Sequence, residues 1–143
     1  MKKKKVLILV LIAVIIYTAI FFIPEKDKKP EISETETISV SDSNERINYF
    51  ALHGWEVEEI SEKDITIPSE FSDDYEEYAV FQDRQNLPLR KYAGKNACLY
   101  VYRICNFRPE NKNMLAELIV CEDTVIGSMV YSEDGGSIRL CVN

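Results

Sequence analysis

The chain has 143 residues, 24 acidic against 17 basic side chains, a net charge of −7 and a single histidine. Every acidic residue lies after Pro24 while lysines 2–5 precede it, so the remainder carries 24 acidic against 13 basic groups, a net −11. That balance argues against a nucleic-acid or anionic-lipid surface partner, which would need a basic face. With one histidine, any Ser/His/Asp or Cys/His catalytic set would have to use His53.

The first predicted element is a membrane helix. Lysines 2–5 precede eighteen uncharged residues, 6–23, closed by Pro24. As a helix they span about 27 Å, the short end of what a hydrocarbon core requires. A cleaved secretory signal is the competing reading, but no small-x-small site falls between Tyr17 and Lys29, and the first cysteine is Cys98. We therefore expect a signal-anchor over 1–23, with the lipid bilayer as its partner through 6–23. The lysines place the amino terminus in the cytoplasm, although Lys26, Lys28 and Lys29 on the far side reduce the bias to a lean. Residues 24–44 alternate Ser and Thr with Glu and Asp and hold only Ile32, Ile38 and Val40 as aliphatics, a composition that predicts a disordered acidic linker.

Residues 45–143 suffice for one small core. Asp42 or Ser43 caps a first helix, with Glu45 positioned for a capping box and Ile47, Phe50 and Ala51 as its apolar stripe. His53 and Gly54 end it. Short strands are expected around Trp55, Val57, Ile65 and Ile67, stopped by Pro68. Ser72 caps a second helix whose stripe is Tyr75, Tyr78, Ala79 and Gln82, and Asn86 stops it before Leu87 and Pro88. Four strands follow over 97–105, 115–121, 124–131 and 137–142. The order predicts an α+β domain, two helices packed on one side of a mainly antiparallel sheet.

The residues Arg46, Phe50, Gly54-Trp55-Glu56-Val57, Ile67-Pro68, Phe71, Tyr75, Tyr78, Gln82, Leu89, Tyr92, Gly94-Lys95, Tyr100, Tyr102, Asn106 and Val125-Ile126-Gly127 resemble a bacterial domain of unknown function, the family numbered 4830, over about 45–141. The resemblance implies a small domain behind an amino-terminal membrane segment, without an assigned activity. The chain departs from the family pattern at Ala79, where Asn is common, and at Gly127-Ser128-Met129, where a Gly-Gly-Asp run is common.

No catalytic, cofactor or metal set converges. The carboxylate pairs Glu58-Glu59, Asp73-Asp74 and Glu76-Glu77 read as solvated faces, and Gly135-Gly136 reads as a turn between strands. Cys98, Cys105, Cys121 and Cys141 lack Cys-x-x-Cys spacing. A hairpin of the third and fourth strand regions would bring Cys98 opposite or next to Cys121, the best-placed disulfide pair; four buried thiols are the simpler alternative. Tyr75, Tyr78, Tyr100 and Tyr102 are candidate ligand-facing aromatics, against a role as the rim of a small core. The expectation is a membrane-anchored extracytoplasmic module that binds or regulates a protein or peptide without catalysis and without a cofactor. The alternative is a small enzyme or thiol-redox domain using Cys or acidic residues.

Overall fold

The computed structural model describes residues 37–143. The expected membrane helix and most of the expected linker lie outside the described residues. Among the described residues, no helix is long and apolar enough to cross a membrane.

Two α-helices pack on a five-stranded antiparallel sheet, an α+β domain. In chain order the elements are α1 (Ser43–Leu52), β1 (Val57–Thr66), α2 (Asp73–Asp83), β2 (Asn96–Ile104), β3 (Met114–Cys121), β4 (Thr124–Ser132) and β5 (Arg139–Leu140), with short 3-10 turns at Leu89–Tyr92 and Pro109–Asn111. The strands pair in sequence order, a meander in which β1 and β5 are the edges.

Local chemistry explains the element ends. The Asp42 carboxylate accepts the Glu45 N–H (2.9 Å), and the Glu45 carboxylate reaches back to the Ser41 N–H and hydroxyl, one residue before the expected capping-box partner. Gly54, at φ 84°, adopts the left-handed conformation that lets the Trp55 N–H bond the Phe50 carbonyl across the end of α1. Asn86 (φ 56°) does the same after α2, where the Leu87 N–H reaches the Gln82 carbonyl. Glu122 and Asp123, at φ 50° and 59°, form the two-residue turn between β3 and β4, whose positive angles suit the twist of a hairpin.

The sheet has a core on each face, because side chains alternate along every strand. Tyr102, Met114, Ala116, Leu118, Val125 and Val130 pack against Tyr49 and Phe50 of α1. Ala97, Ile119, Cys121 and Ile126 pack against Ala79 of α2 and against Ile67 and Leu89. The helices therefore lie on opposite faces and not, as the sequence suggested, on one. Ile67, buried at 0% exposure directly before Pro68, belongs to the second cluster, so the chain leaves β1 on the face that α2 covers.

Three further expectations change. The buried side chains of α1 are Tyr49 and Phe50, while Ile47 and Ala51 face solvent. Residues 38–40, placed in the linker by composition, bond to the start of β4: Val125 N–H to the Ile38 carbonyl (2.9 Å) and Val40 N–H to the Asp123 carbonyl (2.7 Å), with Val40 buried. The expected short strands after α1 are one ten-residue strand, β1, bulged between Glu59 and Ser61. Its exposed row of Glu58, Glu59, Glu62, Lys63 and Asp64 opposes pairing of this open edge with another chain.

The outer edge of β4 is closed piecewise. Residues 38–40 cover its beginning and β5 its end. Between them two glutamine side chains replace a strand: Gln82 Oε1 accepts the Ser128 N–H (2.9 Å) and Gln85 Nε2 donates to the Ser128 carbonyl (2.8 Å). Both glutamines are buried, as backbone groups at a covered edge require partners.

Candidate functional site

The four tyrosines singled out by sequence separate onto the two faces. On the α1 face, Tyr102 is fully buried and its hydroxyl meets Arg46 Nε (3.1 Å) and Glu59 (3.3 Å). The Arg46 guanidinium lies 3.8 Å from the centre of the Tyr100 ring, and the Tyr100 hydroxyl points to Glu62 (3.5 Å). Burial pushes the Tyr102 hydroxyl up to about 12 and Tyr100 further still, so both stay protonated donors. This arrangement clasps α1 to β1 and β2, and the full burial of Tyr102 keeps its hydroxyl out of reach of a ligand.

On the other face, α2 presents Tyr75 and Tyr78 one turn apart, in a tilted row with Phe71 (centroids 4.9 and 5.8 Å). Beneath them is Glu117, paired across the sheet with Val101 and Met129. Burial raises the Glu117 carboxyl above its ordinary range, partly offset by Tyr78 and Arg139. The Tyr78 hydroxyl lies near that carboxyl without hydrogen-bond geometry and has no partner among the described residues; Gln82 Nε2, one turn along, is likewise buried and unpartnered. Gly127 makes room for this hydroxyl, since a Cβ there would stand 3.2 Å from it.

Glu117 gives a prediction with a definite sign. An acid whose folded pKa is raised contributes full stability below its unfolded value, about 4.3, and loses it as pH rises through the folded value. Glu117→Gln should therefore melt at a higher temperature than the parent at pH 7, with the gap closing as the pH approaches about 4. A pH-independent gap in thermal denaturation would contradict the burial of a titrating carboxyl there.

Beside this cluster, α2 and the β4–β5 end line an open recess of about 130 Å³. Tyr78, Val80, Phe81 and Met129 make its apolar lining, and Glu77, Arg84 and Arg139 its charged rim. The rim ion pair is long, Arg139 to Glu77 at 3.7 Å with both side chains more than half exposed, and Arg84 has no ion pair among the described residues. Helical spacing explains the grouping: residues 77, 80, 81 and 84 form the flank of α2 adjacent to its sheet-facing stripe.

The remaining candidates are dispersed. Cys98 stands opposite Val120, one residue out of step with Cys121, so the two thiols point to opposite faces. All four cysteines are free: Cys105 is exposed, Cys98 and Cys141 half-buried, and the buried Cys121 thiol donates to the Asn96 carbonyl (3.1 Å). His53 caps α1 at the surface with its ring edge-on to Tyr49. Among the described residues no cluster of His, Cys, Asp and Glu has the arrangement of a metal site. Sequence reasoning missed Glu117, Arg84 and Arg139. A signal existed for the first, because Glu117 is the one charged residue in the otherwise apolar strand MLAELIVC. No family model, no curated protein and no solved structure matches the chain.

Proposed function

We propose that the chain is a single-pass membrane protein, anchored through 6–23 with its amino terminus in the cytoplasm, whose 37–143 domain is a non-catalytic binding or regulatory module for a protein or peptide on the extracytoplasmic face. The observation that carries the binding role is the recess between α2 and β4–β5: concave and apolar inside, with loosely paired arginines at the rim. Placement outside the membrane rests on the uncharged run 6–23 and the lysines before it. Membership of the family numbered 4830 belongs to the same proposal and rests on the residue matches quoted above.

The test uses the full chain in intact cells. A membrane-impermeant maleimide should label the exposed Cys105 without cell disruption, and a photocrosslinking residue at Val80 should give discrete adducts that the same residue at Lys63 on β1 does not. Labelling of Cys105 only in broken cells would reverse the topology. Identical adduct patterns at Val80 and Lys63 would remove the recess as the binding surface.

A further inference from the structure

We propose that the α2/β4–β5 recess takes the carboxyl terminus of a peptide whose last side chain is apolar. The inference rests on the binding reading above and specifies its ligand. Two observations select this chemistry. The first is charge: in a segment that carries a net −11 after residue 24, the mouth of the recess holds Arg84, without an ion pair among the described residues, and Arg139, whose one ion pair is a 3.7 Å contact to the exposed Glu77 and whose charge also acts on the nearby Glu117. A guanidinium so loosely held keeps donors free for a carboxylate, the partner its planar fork matches best. The second is the lining. Val80, 40% exposed, and Phe81 and Met129 present apolar surface directly beside those cations.

A ligand satisfying both must carry an anion and an apolar group within one residue of each other. At a peptide's carboxyl terminus the last residue does this by itself, with its side chain in the recess and its carboxylate between Arg84 and Arg139. The recess, about 130 Å³, has room for one bulky side chain. Glu77 would then exchange its contact with Arg139 for solvent, so binding replaces a weak exposed ion pair with a bidentate one.

The experiment is calorimetric titration of the full chain, held in nanodiscs of zwitterionic lipid, with the peptide acetyl-Gly-Ser-Gly-Leu as free acid, with its carboxyl-terminal amide and with octanoate. The free acid should bind saturably below about 1 mM and the amide about tenfold more weakly. Arg84→Gln and Arg139→Gln should each weaken the acid by about fivefold while leaving the amide unchanged. Val80→Glu, at an exposed helix position that should not affect folding, should abolish acid binding by placing a like charge beside the carboxylate. Equal affinity for acid and amide, or full affinity in Val80→Glu, would overturn the proposal, and tighter binding of octanoate than of the peptide would overturn the peptide as its source. Failure here is separable from failure of the binding role. Adducts at Val80 in cells with no preference for acid over amide would discard this ligand class alone, whereas selective acid binding without cellular adducts would count against the wider role.

Discussion

Replacing Gln85 with alanine should lower the stability of the domain by about 3 kcal/mol, because two buried backbone groups lose their partners together. Gln85 Nε2 donates to the Ser128 carbonyl (2.8 Å) and its Oε1 accepts the Val142 N–H (2.8 Å), while the side chain is almost wholly buried. No neighbouring strand can substitute, since β5 pairs only with Val130 and Tyr131. Gln82 covers the Ser128 N–H but leaves the carbonyl open. The loss should be visible at a distance. The Val142 carbonyl accepts the indole N–H of Trp55 (2.8 Å), so the only tryptophan reports on whether the carboxyl-terminal residues stay docked. Urea unfolding of the full chain followed by Trp55 fluorescence should show the lower midpoint, with red-shifted emission before the transition. Arg103→Ala, which breaks an exposed pair with Glu58, is the control and should change stability by less than about 1 kcal/mol. Equal effects of the two substitutions would mean that the glutamine does not close the sheet.

The ease with which the sheet was read, and the difficulty of reading that glutamine, have one physical origin. Strands β2, β3 and β4 bury both faces and are rich in Val, Ile, Leu and Tyr, so composition and turn residues place their limits within one residue of those observed. The second helix was equally legible, since Tyr75, Tyr78, Ala79 and Gln82 do face the sheet. The contacts that close the edges are polar and long-range. Gln85 and Ser128 are 43 residues apart, and each alone looks like a solvated side chain. Likewise Ile38 and Val40 sit in an acidic stretch whose composition predicts disorder, yet the unpaired edge at the start of β4 orders them. Strand β1 was legible only at its ends, Val57 and Ile65, while its charged middle hid that they belong to one strand: its pairing with β2 is supplied by the backbone, and almost none of its side chains is covered. The candidate recess was half legible. Tyr78 was singled out by its stripe, but Arg84 and Arg139 become neighbours only when β5 returns beside α2.

Phe50→Ala should cost about 4 kcal/mol and Ile47→Ala less than about 1, a contrast that separates two readings of the same helix. Both residues fit a 3.6-residue period, and apolarity alone favours the stripe of Ile47, Phe50 and Ala51. The alternative stripe of Arg46, Tyr49 and Phe50 has identical spacing but two polar members, whose partners come from the sheet: Tyr102 and Glu59 for Arg46, and the Ser128 hydroxyl for Tyr49 (2.9 Å). Those partners make burial of the polar members affordable, and Phe50, fully buried with its ring 5.4 Å from Tyr49 and 5.0 Å from Tyr102, becomes the main apolar anchor of α1. Truncating it leaves a cavity that the aromatic neighbours can only partly fill. Because Tyr49 and Phe50 are the only buried side chains of α1, hydrogen exchange in Phe50→Ala should rise first and most at the amides of α1, while those of β3 and β4 rise only with global unfolding. Comparable costs for Ile47→Ala and Phe50→Ala, or exchange that rises uniformly in both variants, would mean that the helix buries the other stripe.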